Sequence, residues 1–152
     1  MVGSMRYRRI LVGTDGSPPS LKGVRDAATL AKAMGAELIV VVAYEPVDQT
    51  TLERWKDDAP VDISWRFTGT SLAEQSLDRG VEAATEIGAA VRGRIDRGEP
   101  AETLIKVAEE EGADLIVMGN RGMQGATRFL LGSVPNKVSH SAVCDVLIAK
   151  TT

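Results

Sequence analysis

The chain has 152 residues, 43% hydrophobic and 26% charged, with 18 Lys and Arg against 21 Asp and Glu. That length predicts one domain over residues 1–152, and that balance is typical of a folded globular protein rather than a disordered one. The formal net charge of -3 predicts no general attraction to nucleic acid or to an anionic membrane. A single cysteine, Cys144, leaves no internal disulfide, and a single histidine, His140, leaves no HExxH pair or histidine cluster for a metal. The longest apolar run, Leu38–Tyr44, is of strand length and far short of a membrane span. Met1–Met5 carries no apolar signal core, so the expected compartment is the cytoplasm. Met1–Ser4 is either native or a cloning remnant ahead of a start at Met5.

In chain order, the first expected strand is Arg9–Thr14 (RILVGT), ending in the turn-like Asp15-Gly16-Ser17-Pro18-Pro19. Ser20–Met34 follows as a helix with Leu21, Val24, Ala28 and Ala31 at helical spacing and Gly35 as its stop. Glu37–Tyr44 (ELIVVVAY) is a β-branched strand ended by Glu45-Pro46. The long polar stretch Glu45–Thr70, with Trp55 and Trp65, is expected to run over the surface, its tryptophans anchoring it to the body. Ser71–Ile87 reads as a helix, weakened by Gly80. Val91–Arg97 (VRGRIDR) alternates imperfectly and carries charge, which predicts an edge strand. Pro100–Glu111 opens with a first-turn proline, closes before Gly112 and buries Leu104, Val107 and Ala108. The run Glu109-Glu110-Glu111 reads as a solvated helix end. Asp114–Gly119 (DLIVMG) is a strand entering a glycine-rich stretch, Ser133–Ser141 a short helix, and Cys144–Ala149 (CDVLIA) the last strand, with Cys144 as a buried thiol.

Strands alternating with helices predict an α/β fold: an open parallel sheet joined by right-handed crossovers, with helices on both faces. The near-continuous apolar runs fit strands covered on both sides. In such sheets ligands bind at the carboxyl ends of strands, where strand order reverses. Here one strand ends in Gly13-Thr14-Asp15-Gly16-Ser17 and another in Gly119-Asn120-Arg121-Gly122-Met123-Gln124-Gly125. If those strands are neighbours, a carboxylate and a glycine-rich backbone line one crevice. The carboxylate accepts from ribose or base donors, and the glycines let main-chain N–H groups approach phosphate oxygens. The spacing Gly119-x2-Gly122-x9-Gly132-Ser133 adds a helix start, with unpaired N–H groups and the positive end of the helix dipole. The Ser133 hydroxyl either donates to a phosphate oxygen or caps its own helix.

Three stretches, ILVGTDGS at Ile10–Ser17, ADLIVMGNRG at Ala113–Gly122 and LLGSVPNKV at Leu130–Val138, resemble the universal stress protein family, and specifically its nucleotide-binding branch. The order of elements matches from Arg8 to Lys150. The resemblance implies a Rossmann-like five-stranded parallel sheet of order 3-2-1-4-5, which sets strands one and four side by side. It places Asp15 at the base and ribose end, with Gly13 and Thr14 as the adjacent floor. It places Ala43 where a main-chain group meets the adenine ring, and Met118 and Gly119 in the ribose-side loop. Gly122, Gly132, Ser133 and Val134 match the phosphate side. Arg121 and Arg128 either neutralise phosphate or sit solvated at the surface. The resemblance implies ATP as the ligand, with magnesium carried on the phosphates, a role as nucleotide-dependent sensor or regulator in the stress response, and a homodimer. Leu130–Pro135 and Asn120 resemble a mycobacterial subgroup that also binds cyclic AMP, so cyclic AMP is the rival ligand.

Other chemistries lack their residues. No GxxxxGK[ST] supplies a P-loop lysine, and no GxGxxG follows the first strand. His140 flanked by Ser139 and Ser141 in one helix reads as a surface histidine rather than a hydrolase base. Phosphoryl transfer needs a positioned base or water-orienting group, and the one acid expected near the site, Asp15, belongs to its sugar end. A binding module is therefore expected, with slow ATP hydrolysis as the enzymatic alternative. The last strand is apolar and no later element covers it, which predicts pairing with a second copy through Cys144–Ala149.

Overall fold

A computed structural model describes residues 7–45, 69–120 and 133–151. Five strands form one sheet: β1 (Arg9–Gly13), β2 (Glu37–Tyr44), β3 (Ala90–Arg97), β4 (Leu115–Gly119) and β5 (Asp145–Ala149). They lie in the order β3-β2-β1-β4-β5, and every neighbouring pair is parallel. The helices α1 (Pro18–Met34), α2 (Gly69–Ile87), α3 (Pro100–Glu111) and α4 (Ser133–Ser141) make the crossovers. The expected sheet and order hold, and element ends move by at most two residues. Thr14 and Cys144 fall just outside β1 and β5, and Cys144 is half-buried rather than fully buried. The Glu45–Thr70 excursion, with Trp55 and Trp65, lies outside the described residues beyond Glu45 and before Gly69.

Each central strand is buried on both faces, so two cores form. On one face Ile10, Val12, Leu38, Val40, Leu115 and Val117 meet Val24, Ala27, Ala28 and Ala31 of α1 and Ala83 and Ala84 of α2. On the other, Leu11, Ile39, Val41, Ile116 and Met118 meet Ala101, Leu104, Val107 and Ala108 of α3 and Val138 of α4. The interiors of β1, β2 and β4 are apolar at both parities because both faces are covered. The period-two pleat sends alternate residues to opposite helical layers.

Helix ends are fixed locally. Ser17 caps α1 and Pro18 occupies its first turn, where a missing N–H costs nothing; Gly35 ends it in the left-handed conformation. Glu99 caps α3 by accepting from the N–H groups of Ala101 and Glu102 at 3.1 and 3.0 Å. At the amino end of the sheet, Asp114 accepts from the N–H groups of Arg8 and Arg9, at 2.8 and 2.9 Å. Those two bonds hold its carboxyl below the usual carboxylate range. They also set β1 and β4 in register, so that both strands finish together at the opposite edge.

Candidate functional site

The site is built by strand ends. Gly13 pairs with Val41 on one side of β1, and Val12 pairs with Val117 on the other. β2 therefore runs on past the end of β1, and its last residues, Ala43 among them, stand as a wall beside the turn at Thr14–Ser17. β4 ends at Gly119, level with Thr14. The chain leaves β1 through α1 toward β2 and leaves β4 through α4 toward β5, on opposite faces of the sheet, so the two connections diverge between these paired neighbours. This is the switch point at which doubly wound sheets hold ligands.

The pleat sorts the expected residues. Gly13, Ala43 and Met118 share the face of Leu11, Val41 and Ile116, and Val134 of α4 packs against that same core. A Cβ on Gly13 would lie 3.0 Å from both Leu104 methyls, so α3 closes directly under the floor. Thr14 faces the other layer, where it is buried. Gly119 borders α1, since a Cβ on Gly23 would lie 3.8 Å from the Gly119 nitrogen. The structure thus brings Gly13, Thr14, Asp15, Ala43, Met118, Gly119 and Val134 to one edge of the sheet. Arg121, Gly122, Arg128 and Gly132 lie outside the described residues, as does the Ser133 side chain. The α4 backbone begins at Ser133, as expected.

The turn after β1 is a closed circuit of hydroxyls. The Ser20 hydroxyl donates to the Ser17 carbonyl at 3.0 Å, and accepts from the Asp15 N–H at 3.3 Å. Its one proton is spent, so the 2.7 Å contact with Thr14 Oγ1 has Thr14 as donor. Thr14 Oγ1 in turn accepts from the Gly16 N–H at 3.0 Å. The Thr14 hydroxyl is consumed in shaping the turn, which suits a floor residue. Asp15 Oδ1 accepts from the Ser17 N–H at 2.9 Å, an Asx turn that orients the carboxylate. Its Oδ2 has no donor among the described residues. Ser76 of α2 donates to the Asp15 carbonyl at 2.9 Å.

Ser20 and Ser76 were not among the residues expected at the site. Ser20 could have been found as the hydroxyl one turn into α1. Ser76 lies 61 positions from Asp15 and carries no local signal.

The opposite wall is tied down as well. The Asn120 N–H donates to the Ala149 carbonyl at 2.9 Å, and Asn120 Oδ1 accepts from the N–H and hydroxyl of Thr151 at 2.9 and 3.2 Å. Asn120 therefore pins the exit of β4 to the end of β5. Lys137, midway along α4, reaches Glu99 and Glu102 at 3.2 and 3.1 Å and links that helix to the start of α3. Burial opposes the charge on Glu99. The Glu102 and Ala101 N–H groups together with Lys137 outweigh it and hold the carboxyl below its ordinary range.

An open parallel sheet with helical layers on both faces, a carboxylate-bearing turn and a switch-point crevice defines the doubly wound α/β class. Within that class the chain belongs to the universal stress protein family, which it matches over residues 6–150. It is 41% identical over 147 residues to universal stress protein Rv1636 of Mycobacterium tuberculosis strain H37Rv, covering 96% of this chain and 98% of that one. A universal stress protein solved in complex with cAMP is 34% identical, covers 96% of this chain and 99% of its own, and has a TM-score of 0.73. The universal stress protein of Archaeoglobus fulgidus solved in complex with dAMP is 26% identical, covers 95% and 98%, and has a TM-score of 0.68. Among the described residues no helix is long and apolar enough to cross a membrane.

Proposed function

We propose that this chain binds ATP at the switch-point crevice and acts in the cytoplasm as a nucleotide-dependent sensor or regulator in the stress response. The observation that carries the reading is the pairing of β1 with β4. It sets the turn that carries Asp15, whose Oδ2 is free of described donors, at the carboxyl end of β1, next to the strand that leads into the glycine run. Asp15 accepts from the ribose or base, over a floor of Gly13 and Thr14 and beside the wall at Ala43. Met118 and Gly119 form the ribose-side loop. Gly122, Gly132, Ser133 and Val134 meet the phosphates through main chain and hydroxyl, and Arg121 and Arg128 neutralise them. Magnesium rides on the phosphates with its water. Turnover is slow, far below the roughly 1–100 s⁻¹ of kinases, because no base is placed to drive it among the described residues.

The rival ligand is cyclic AMP, favoured by the relative solved in complex with it. A triphosphate spans both the glycine loop and the start of α4, whereas a cyclic monophosphate meets only the nearer element. Calorimetric competition between ATP and cyclic AMP tests the choice. ATP is expected to bind more tightly, and Ser133→Ala to weaken ATP selectively. Preference for the cyclic nucleotide, or equal loss of both, overturns ATP as the ligand. Two copies are proposed to pair through the region Cys144–Ala149, where Leu147 and the neighbouring Val143 are exposed.

A further inference from the structure

Asp15 is gripped at both ends of its own backbone by hydroxyls from different helices. Its N–H donates to Ser20 of α1 at 3.3 Å, and its carbonyl accepts from Ser76 of α2 at 2.9 Å. The grip from α2 is close. A Cβ on Gly16, whose φ is +80°, would lie 2.9 Å from Ser76 Oγ and 3.0 Å from Ser76 Cα. One helical turn further along α2, Gly80 is buried, and a Cβ there would lie 2.9 Å from Val40 Cγ1 and 3.1 Å from Thr14 Cγ2. Ser76 and Gly80 therefore present a small-residue face on which the Thr14–Gly16 turn is seated. Any larger side chain at Gly80 lifts the helix away from the turn, and with it the hydroxyl that reaches Asp15.

From this geometry we infer that Ser76 is a positioning residue for the nucleotide site: through the Asp15 carbonyl it aims the Asp15 carboxylate, so the seating of α2 sets the affinity for the nucleoside end of the ligand. The inference rests on the proposed nucleotide binding and deepens it. The backbone between two anchored peptide groups has little freedom to rotate, and the Asp15 side chain leaves from the atom between them. Releasing the Ser76 anchor leaves the carboxylate present, with the Ser17 N–H still on Oδ1, but less firmly held toward the ribose or base. The phosphate side, which belongs to other elements, is untouched.

The test is a double-mutant cycle on the full chain, read by calorimetry with ATP and, separately, with inorganic tripolyphosphate. Ser76→Ala removes the hydroxyl while keeping a strong helix former in α2. It is expected to weaken ATP binding roughly three- to tenfold, the size of one lost hydrogen bond, and to leave tripolyphosphate binding unchanged. In an Asp15→Asn background, Ser76→Ala is expected to cost nothing further, because its effect passes through that carboxylate. Thr85→Ala, at the far end of the same helix, is the control and leaves both ligands unaffected. Melting temperatures of all variants establish that they are folded. The inference is overturned if Asp15→Asn weakens ATP but Ser76→Ala does not. It is equally overturned if the two losses add in full, or if Ser76→Ala weakens tripolyphosphate as much as ATP. If Asp15→Asn itself leaves ATP affinity unchanged, the nucleoside-end assignment of the crevice fails first, and the role of Ser76 falls with it.

Discussion

Asp15 holds its place because Thr14, Ser17, Ser20 and Ser76 each spend a hydroxyl or amide on the turn around it, and Gly16 lets the chain reverse. The φ of +80° at Gly16 is a conformation that side chains rarely adopt, and the Ser76 backbone stands 3.0 Å from where a Cβ would go. Gly16→Ala is therefore expected to cost about 1–3 kcal/mol of stability from backbone strain, with more from the collision. Chemical denaturation reads the loss as a lower midpoint at unchanged slope. Gly80→Ala tests the same seating from the helix. The substitution improves helix propensity by about 1 kcal/mol, yet its methyl meets the stiff, buried Val40 at 2.9 Å. Overpacking of that kind costs about 1–3 kcal/mol, so the expected result is net destabilisation; a rise in melting temperature would show that α2 is not pressed against β2.

At the scale of elements, β3 is fastened to α3 by charge. Arg92 bridges Glu37 and Glu111, and Arg94 bridges Asp96, Glu110 and Glu111. The run Glu109–Glu111 was expected to be a solvated helix end; instead two of its three carboxylates meet the strand. The Arg92 guanidinium, opposed by partial burial and helped by Arg94, holds the Glu111 carboxyl down to about 2 from its ordinary 4.5. Arg94 likewise lowers Asp96, and Arg92 and Arg94 are both pushed above their ordinary values by these partners. A carboxylate with a depressed folded value stabilises the fold fully above its unfolded value. That stability is lost as pH falls through the folded one. Unfolding free energy is thus expected to decline between about pH 4.5 and pH 2. Glu111→Gln should lower stability at pH 7 and flatten part of that decline, while Asp96 and Asp114 continue to contribute to it. Urea titrations at a series of pH values measure both effects; a variant whose pH dependence matches the wild type would exclude Glu111 as a major source.

For the whole molecule, the two edges of the sheet differ. β3 carries Arg92, Arg94 and Arg97, and such charges discourage pairing with another strand. β5 reads DVLIA, with Leu147 43% exposed and the neighbouring Val143 64% exposed. An apolar edge invites a second copy, and a symmetric pair would cover the same patch on both. Light scattering at micromolar concentration is expected to find a dimer, and Leu147→Glu a folded monomer. A wild-type monomer at that concentration would refute pairing through β5.

The sheet and its layers are legible in the order of the residues. Runs such as LIVVV at Leu38–Val42 are apolar at both parities, which only a strand covered on both sides tolerates, and Gly35 and Gly112 mark where helices stop. The sequence also marked the turn at Gly13–Ser17 and the charged edge at β3, because turn chemistry and edge protection are written in neighbouring residues. The strand order came from likeness to a family, and pairing confirms it. Tertiary structure alone decided which distant groups meet. Nothing local distinguishes Ser76 from any other helical serine until α2 is laid across the Thr14–Gly16 turn. Gly80, which reads as a weak point in a helix, becomes the contact that lets α2 approach. Glu110 and Glu111 change from solvated charges to anchors once β3 lies beside the end of α3. Periodicity and turns are properties of consecutive residues, whereas a hydrogen bond between residues 61 apart exists only after the sheet has closed the distance.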